Sequence, residues 1–568
     1  MAISPELQGA QAETAGPMAS TSVAPDQVSI ATPETQLVAS SVESSPAPSR
    51  PTESRVARII KNVLMNWVAY AVTILTSFFM SPFLVGNLHD SVYGVWVLIG
   101  SLAGYLGLLD FGLTPAIVKH IAEYRAKNDQ AAINRLISGG LTIFSSLGLL
   151  VFAVSFLIAL RFNHLFHTPL TDRTAFIVVM IAGLNLALTF PASVFVGALR
   201  GYQRYDIDAA ITSCTILLQS ALIVVLILHG YGILALVGLK FIFDMGRLGF
   251  IIYYVRRINP DIRITRGHLD WQEMRRLFSY SSFFFLIMVG NQINFLTDSI
   301  VIAAFLSTAL VTAYSIANRL VSYLRELVIE MTGVLMPAVS SLDAGEDKSK
   351  VQELHILSTK YTLLLSLPLA AVFFILGDVF IERWMGSRYD MTAMSGLLLK
   401  VLTVAIIAHL VATPTGSVLT GLGKHQVVAR FSIMQALTNL LLSLIFIKFL
   451  KGPESRLIGV ALGTAASMVI FTLFALPIYI RQYLKVPLAP YLRQSMLLPV
   501  LIQPPYIALL LLLRHLAFPS SLWMFFGEIV LSLIPYGIMV FGVGMGQRER
   551  TAFLRLLSKS GLKFSKQS

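Results

Sequence analysis

Residues 136–160 read LISGGLTIFSSLGLLVFAVSFLIAL and contain no Asp, Glu, Lys or Arg. This run is longer than the roughly 20 residues that an α-helix needs to cross the hydrocarbon core of a bilayer. Apolar runs of similar length recur along almost the whole chain after Asn62, without the alternation typical of membrane barrels. In hydrocarbon, only helices satisfy their backbone hydrogen bonds within each segment. The sequence therefore predicts an all-α polytopic membrane protein.

The overall composition supports a membrane protein and argues against a nucleic-acid partner. Of 568 residues, 55% are hydrophobic and 13% are charged, whereas roughly a quarter of an ordinary soluble domain is charged. The formal net charge of +13 is explained by basic residues in cytoplasmic loops. The single cysteine, Cys214, lies inside an apolar run, so we expect neither a disulfide nor a metal site.

We predict about fourteen transmembrane helices, arranged as two six-helix lobes and a final pair. Their approximate bounds are 62–86, 92–114, 136–160, 174–198, 208–229, 232–254, 279–306, 309–337, 356–378, 395–420, 426–447, 456–479, 496–513 and 521–544. The corresponding segments are a disordered cytoplasmic tail (1–54), an N-lobe (55–255), a basic cytoplasmic linker (256–278), a C-lobe (279–481) and a C-terminal part with two helices and a basic tail (482–568).

Basic residues and an internal repeat suggest how these spans are arranged. Lys and Arg number 30 on one side of the predicted membrane and 8 on the other, which places both termini in the cytoplasm by the positive-inside rule. The segment from Tyr93 to Ala116 realigns on Tyr314 to Ala338, and Leu199–Ala209 realigns on Leu419–Ala429, at offsets of 220 to 222. We therefore expect two pseudo-symmetric lobes around a central cavity.

Charged and amide side chains cluster in three predicted spans. Placing a charged side chain at the bilayer centre costs roughly 2.5–3.5 kcal/mol, so the presence of each charge in a predicted span needs an explanation. Lys240, Asp244 and Arg247 lie at i, i+4 and i+7 on one face of the sixth span. The seventh and eighth spans carry the others, which are Asn291, Gln292, Asn294, Asp298, Asn318, Arg319, Arg325, Glu326 and Glu330.

Two interpretations of these charges remain open. They could be locally paired ions that fix helix packing, with Lys240 paired to Asp244 and Arg319 paired to Asp298 or Glu326. They could instead line a hydrated cavity, where arginine would bind two oxygens of a pyrophosphate together. In that case the predicted binding residues are Arg319, Arg325, Lys240, Arg247, Asn291, Asn294 and Asn318. The predicted residues for coupling to H⁺ or Na⁺ are Asp298, Glu326, Glu330 and Asp244.

Sequence motifs of common enzymes are absent. The chain contains no P-loop with GKS or GKT, and no HExxH, CxxC or GxSxG motif. We therefore expect a transporter without a cofactor, which takes its energy from an ion gradient, the membrane potential or consumption of the substrate on the far side.

The stretch GLLDFGLTPAIVKHIAEY, Gly107 to Tyr124, resembles the end of the second span and the following helix of polysaccharide biosynthesis proteins. These are lipid-linked oligosaccharide flippases of the multidrug/oligosaccharidyl-lipid/polysaccharide exporter (MOP) superfamily. In this stretch Asp110 and Gly112 end a span and Pro115 restarts a helix. The segments with Gly201 and Gly421, the second within TGLGKHQ, resemble that family's paired loops after spans four and ten.

The resemblance implies two lobes around a V-shaped cavity that opens alternately to each side of the membrane. It also implies a polyprenyl-diphosphate sugar as substrate, with its anionic headgroup held by arginines, and a location in the bacterial inner membrane. Polysaccharide polymerase and export proteins would be partners. Many family members have twelve spans, whereas the lipid II flippases of the superfamily have fourteen.

Other functions remain as alternatives to an oligosaccharide flippase. They are a lipid II-type cell-wall precursor flippase, an ion-coupled multidrug exporter, a membrane-embedded polymerase or glycosyltransferase, and a structural assembly protein. Cavity cations argue against cationic drugs, and short loops argue against a polymerase or glycosyltransferase.

Overall fold

The chain is helical throughout the residues that its computed structural model describes, which are 55–264, 271–333, 335–344, 347–516, 521–547, 549–551 and 554–555. No β-strand occurs in these ranges. The predicted all-α fold is confirmed. The predicted tail, 1–54, lies outside the described residues.

In both halves of the chain, long and short helices occur in the same order. In each half the third helix is short and the others are long. The first half contains α1 (Arg55–Leu88), α2 (Asp90–Gly107), α3 (Leu113–Ala126), α4 (Gln130–Leu165), α5 (Asp172–Gly201), α6 (Tyr205–Leu228) and α7 (Gly232–Ile258). The second contains α8 (Trp271–Phe305), α9 (Thr308–Thr332), α10 (Leu335–Ala344), α11 (Lys348–Met385), α12 (Thr392–Gly421), α13 (His425–Phe449) and α14 (Pro453–Ile470).

The remaining helical segments are shorter, and π-helical turns adjoin several of them. They are α15 (Leu476–Tyr479), α16 (Leu488–Tyr491), α17 (Leu498–Leu501), α18 (Gln503–Leu516) and α19 (Leu522–Met539). The π-helical turns occupy Phe471–Ala475, Ile480–Leu484, Leu492–Leu497 and Val540–Gly544, so helix α14 continues to Leu484 and α19 to Gly544.

Twelve helices of the described chain are long and apolar enough to cross a membrane, and they coincide with twelve of the fourteen predicted spans. The other two predicted spans correspond to α7 and α9, which are long enough to cross but carry several charges each. A multi-pass membrane protein is therefore established, while the count of fourteen spans stays a prediction.

The two ends of the helix bundle differ in their basic residues. We use "basic end" for the end at which α2 and α9 finish, and "Lys/Arg-poor end" for the end at which they begin.

Helix α8 starts at Trp271, inside the segment predicted as a linker. Lys360 is one of the 30 basic residues assigned to the cytoplasmic side by the sequence, but it lies inside α11 and is buried.

Paired glycines explain the repeated loop segments at the basic end. A Cβ on Gly201 would lie 2.6 Å from Cγ2 of Ile121 in α3, and a Cβ on Gly421 would lie 2.9 Å from Cβ of Val339 in α10. Each glycine therefore lets the end of a long helix pack closely on the short third helix of its own half.

The stretch from Asp110 to Pro115 turns the chain between α2 and α3. Asp110 Oδ1 accepts hydrogen bonds from the backbone N–H and the hydroxyl of Thr114. Gly112 adopts φ 73°, a left-handed conformation that glycine takes without strain. Pro115 follows in the first turn of α3, where its missing N–H leaves no helical hydrogen bond unmade. The predicted span end and helix restart are thus explained by local geometry.

The C-terminal helices attach to α11 along much of its length. Near the basic end, Lys360 Nζ forms an ion pair with Glu549 at 2.7 Å, and these side chains are only 7% and 19% exposed. Farther along, Tyr536 donates to the carbonyl of Leu364 at 2.8 Å, and Arg514 pairs with Asp378 at 3.1 Å. These bonds fix the final helices to the second half of the molecule.

Neutralising one partner of the Lys360–Glu549 pair is expected to destabilise the protein by roughly 3–5 kcal/mol, because the other charge stays buried without a partner. Lys360→Met and Glu549→Gln should therefore each lower the thermal unfolding midpoint in detergent. The double variant should lower it by less than the sum of the two. Additive effects would contradict a direct interaction.

The same pair should make stability sensitive to acid. Burial alone would raise the pKa of the Glu549 carboxyl, but hydrogen bonds from Lys360 and Gly546 and the Lys360 charge hold that pKa below its usual value. A lowered pKa in the folded state stabilises the protein above the unfolded pKa, about 4.3. This contribution should disappear as pH falls through the lowered value, and in Glu549→Gln this acid-dependent loss should be absent.

Candidate functional site

A polar cavity of about 380 Å³ lies between α2 of the first half and α8 and α9 of the second. Its walls combine aromatic, hydroxyl, amide and charged side chains. They are Tyr93, Trp96, Val97, Gly100, Ser101, Phe295, Leu296, Ser299, Ser315, Asn318, Arg319, Ser322, Arg325 and Glu326. Four predicted site residues, Asn318, Arg319, Arg325 and Glu326, are therefore brought together here.

The two arginines of this cavity are not neutralised by carboxylates. Within the described part of the chain, neither Arg319 nor Arg325 forms an ion pair, and Arg325 Nε is buried without a hydrogen-bond acceptor. The predicted alternative in which Arg319 pairs with Asp298 or Glu326 is not observed. Two guanidinium groups are thus available to an anion that enters the cavity.

The carboxylates of α9 are arranged differently from its arginines. Glu326 Oε2 accepts a hydrogen bond from the hydroxyl of Tyr70 in α1 at 3.3 Å, which links the two halves of the molecule. Glu330, one turn closer to the basic end, is exposed and does not line the cavity. Only Glu326 therefore places a negative charge beside the two arginines.

Lys240, Asp244 and Arg247 of α7 form a separate group in which each charge has a partner on α7 itself or on α6. Lys240 Nζ lies 3.0 Å from Asp244 Oδ2, which also accepts from the amide of Asn185 at 2.8 Å. Arg247 lies 3.6 Å from Asp208, which also binds Arg200 at 2.7 Å. For α7, local pairing is the observed arrangement, and none of these residues lines the polar cavity.

Asp298 lies in a buried polar network of the second half. The side chain is 2% exposed and accepts hydrogen bonds from the hydroxyls of Tyr314 in α9 and Thr464 in α14, the latter at 2.7 Å. Thr464 also contacts Asn439 of α13 at 3.1 Å. No basic side chain of the described residues lies within ion-pair distance of Asp298, so its charge is available to a proton or a small cation.

The predicted amide residues of α8 do not meet in the polar cavity. Asn294 is buried and donates to Gln435 of α13 at 3.3 Å. Asn291 is exposed, and the neighbouring Gln292 donates instead to the carbonyl of Gly104 in α2 at 2.7 Å.

In the described chain no group of three His, Cys, Asp or Glu side chains could hold a metal ion.

An apolar cavity of about 600 Å³ adjoins another face of α9. Helices α1, α9, α11 and α19 form its walls, and we call it the apolar groove. Its lining residues are Ile74, Leu75, Phe78, Phe79, Leu320, Tyr323, Leu369, Val372, Phe373, Gly377, Phe380, Leu522, Trp523, Phe525, Phe526 and Ile529. Helix α9 thus separates a polar space from an apolar one.

The two halves are held together near the Lys/Arg-poor end. Thr312 of α9 donates to the backbone carbonyl of Asp90 at 2.6 Å. Gly94 of α2 packs so closely on Thr308 that a Cβ would overlap the Thr308 carbonyl oxygen. Trp384 of α11 donates to the carbonyl of Phe78 in α1 at 3.0 Å. The polar cavity is therefore capped toward this end.

Several of these residues carried no signal in the sequence. Phe295, Trp96 and the cavity serines look like ordinary helix residues, and Thr464 lies far along the chain from Asp298. Tyr314 could have been suspected, because the repeat aligns it with Tyr93.

Comparison with known proteins identifies related sequences. A family model described as polysaccharide biosynthesis protein matches residues 88–394. The chain is 23% identical over 384 residues to a Shigella flexneri protein whose name describes an O-antigen transporter, covering 65% of this chain and 87% of that protein. It is 24% identical over 318 residues to the succinoglycan biosynthesis transport protein ExoT of Rhizobium meliloti, covering 55% and 59% respectively.

Solved structures with a similar fold are MATE transporters. An inward-facing multidrug resistance MATE transporter of the MOP superfamily superimposes with a TM-score of 0.55 at 14% identity, covering 75% of this chain and 99% of that one. A variant of the Vibrio cholerae MATE transporter VcmN gives a TM-score of 0.53 at 17% identity, covering 76% and 98%. The chain therefore has the fold of these transporters.

Replacing Gly94 by Ala is expected to open the cap, because the added methyl group cannot occupy the same space as the Thr308 carbonyl. In a Cys214→Ser background, the cavity residue Ser315→Cys reports access of a membrane-impermeant maleimide from the Lys/Arg-poor side. We expect several-fold faster labelling with Gly94→Ala.

Gly107→Ala is the matched control for this experiment, since it lies on the same helix with nothing within 4 Å of an added Cβ. It should label at the parental rate. Equal labelling of the Gly94 and Gly107 variants would show that the Gly94–Thr308 contact does not close the cavity.

Proposed function

Because the chain belongs to the family of polysaccharide biosynthesis proteins, we propose that it translocates a polyprenyl-diphosphate-linked oligosaccharide from the inner to the outer leaflet by alternating access. The substrate would be the repeat unit of an exopolysaccharide, an O-antigen or a similar polymer. Arg319 and Arg325 carry this proposal, because they lie in a cavity between the two halves and have no carboxylate partner in the described part of the chain.

The pairing of charges separates binding residues from structural ones. A guanidinium beside a carboxylate has its charge offset and part of its N–H edge facing that group, whereas one without such a partner can bond two phosphate oxygens. Arg247 faces Asp208 at 3.6 Å, whereas Arg319 and Arg325 have no carboxylate partner among the described residues. We therefore assign the diphosphate to Arg319 and Arg325, with Asn318 and the cavity serines as further hydrogen-bonding groups. Lys240 and Asp244 hold α7 against α5 in this scheme.

The apolar groove suits the polyprenyl tail of the same substrate. A long isoprenoid chain loses favourable burial if it follows the headgroup through a polar space. Leu320 and Tyr323 line the groove, while Arg319 and Ser322 on the same helix line the polar cavity. Headgroup and tail can therefore occupy the two sides of α9 at the same time.

Asp298 is the best candidate for ion coupling. A buried carboxylate without a basic partner is costly in a membrane protein, and binding H⁺ or Na⁺ would remove that cost. The same residue bonds Tyr314 of α9, the helix that carries both cavity arginines. A change in the charge state of Asp298 can thus alter the packing of α9. Asp244 is a weaker candidate because it is paired with Lys240, and Glu330 is weaker because it is exposed. Glu326, which accepts a hydrogen bond from Tyr70, is the third candidate of this weaker group.

Localisation and partners follow from this role. We place the protein in the bacterial inner membrane with both termini in the cytoplasm, acting as a transporter without a catalytic step or cofactor. Its products would be taken up by a polysaccharide polymerase and export proteins on the outer side.

Two other transport functions remain as alternatives. A lipid II-type precursor presents the same diphosphate and tail and would use the same residues. A multidrug exporter of the MATE kind shares the fold, but cationic drugs would meet one carboxylate and two arginines that have no ion-pair partner among the described residues. The cavity charge therefore favours an anionic substrate.

Arg319→Ala and Arg325→Ala are each expected to reduce surface polymer at least about tenfold, because a charge-assisted hydrogen bond contributes roughly 1.5–3 kcal/mol. Lipid-linked repeat units should accumulate in a deletion strain that expresses either variant. Arg325→Lys should retain part of the activity, since lysine keeps the charge but not the planar fork.

Lys127→Ala provides the control for these variants. Lys127 pairs with Glu123 at the basic end, and the two side chains are 63% and 41% exposed, so the pair contributes little. Polymer and membrane protein levels should match wild type. Normal polymer in both the Arg319 and Arg325 variants would remove the cavity from the transport mechanism.

Asp298→Asn should abolish the dependence of transport on a proton or sodium gradient, because the neutral amide keeps one oxygen acceptor and cannot bind either ion by charge. We expect at least a roughly tenfold lower gradient-driven transport rate in proteoliposomes. Glu330→Gln, which neutralises an exposed carboxylate on α9, should respond to the gradients as wild type does. A retained gradient response in Asp298→Asn would exclude this residue as the coupling group.

A further inference from the structure

The ring of Phe295 lies directly beneath one of the cavity arginines. The guanidinium carbon of Arg325 is 3.9 Å from the centroid of the ring, well within the roughly 6 Å of a cation–π interaction. On α12, His409 meets the same ring edge-on, with centroids 5.2 Å apart and planes at 86°. Phe295 is thus held between the polar cavity and the interior of the second half.

Arg325 has unusual surroundings for a half-buried cation. In the described chain it forms no ion pair, and its Nε has no acceptor. The adjacent Glu326 carboxylate is instead hydrogen-bonded to Tyr70 of α1. The aromatic face of Phe295 is therefore the contact that offsets the loss of water around this charge.

The geometry of a guanidinium makes such a contact different from a salt bridge. All five N–H donors of arginine point outward in the plane of the group, and none points from its face. A carboxylate would bind the edge and occupy these donors. An aromatic ring attracts the charge through its negative face and leaves the edge free for another acceptor.

We propose that Phe295 is a positioning residue, which holds the Arg325 guanidinium by its face so that its N–H edge stays open to a diphosphate. This inference rests on the proposed function and adds a residue that determines specificity. A carboxylate in its place would neutralise the site, and an aliphatic side chain would leave the guanidinium free to turn toward Glu326. The aromatic ring thus favours an anionic headgroup with two adjacent acceptor oxygens over a neutral one.

The experiment measures binding of farnesyl diphosphate to the purified full-length protein in detergent, with farnesol as the neutral comparison. Phenylalanines with one, two, three and five fluorines are introduced at position 295, because fluorination weakens the negative face of the ring with little change of shape. We expect the Kd for farnesyl diphosphate to rise in steps along the series, to about tenfold. The Kd for farnesol should not change.

Phe295→Leu should weaken farnesyl diphosphate binding to a similar extent. Phe285→Leu is the matched control, since Phe285 lies on the same helix and packs on Phe111 with centroids 4.8 Å apart, away from the arginines. It should bind farnesyl diphosphate as wild type does.

The outcomes separate this inference from the proposed function. If wild type binds farnesyl diphosphate and Arg319→Ala weakens binding, but the fluorinated series is flat, the role of Phe295 is overturned and the anion site stands. If Phe295→Leu and Phe285→Leu weaken binding equally, the effect is structural and the inference fails. If wild type binds farnesyl diphosphate no better than farnesol, both the inference and the proposed anion site are overturned.

Discussion

A charge inside a bilayer must be paired, hydrated or neutralised, because leaving it in hydrocarbon costs several kcal/mol. Most features of this molecule that bear on function follow from how each buried charge meets this requirement. Lys240 and Arg247 are paired with aspartates, and Lys360 is paired with Glu549. Arg319 and Arg325 have no such partner among the described residues and face a cavity. Within the same described residues, the partners of Asp298 are the hydroxyls of Tyr314 and Thr464. Arg319, Arg325 and Asp298 are the exceptions to pairing for which we propose a function.

Helix α9 connects these exceptions. One face carries the two arginines into the polar cavity, a second face lines the apolar groove through Leu320 and Tyr323, and Tyr314 near its start bonds Asp298. A headgroup, a tail and a coupling ion would therefore all contact the same helix. Since α9 also packs on α2 at the Lys/Arg-poor end, where Thr312 bonds Asp90, a shift of α9 would change the contact between the two halves. If Asp298 is the coupling group, this arrangement would give a physical route from ion binding to the opening of the cavity.

The added C-terminal helices contribute to the same arrangement. Helix α19 forms one wall of the apolar groove, and the pairs Lys360–Glu549 and Arg514–Asp378 attach the C-terminal segments to α11. The opposite wall is α1, from the first half. The groove is thus bounded by elements of both halves, so its width depends on how the halves are oriented. Because both ion pairs are made with α11, we expect α19 to follow the second half when that orientation changes and its contact between Phe526 and Phe78 of α1 to change.

The sequence by itself determined the membrane class, the position of the helices and the residues whose burial needed an explanation. Apolar runs such as 136–160 suffice for this, because hydrocarbon allows only self-satisfied helices. The charges of α7 and α9 can also be read from the sequence. Because of these charges, the two helices are not among the twelve that are apolar enough by composition to cross a membrane. Only the tertiary structure decided which of these charges are paired. Lys240 has its partner Asp244 four residues away on the same helix, but Arg247 pairs with Asp208 and Lys360 pairs with Glu549, which lie on other elements. Side-chain spacing along one helix fixes a face but not the partner opposite, and so the roles of Phe295, Thr464 and Gly94 could be read only from packing.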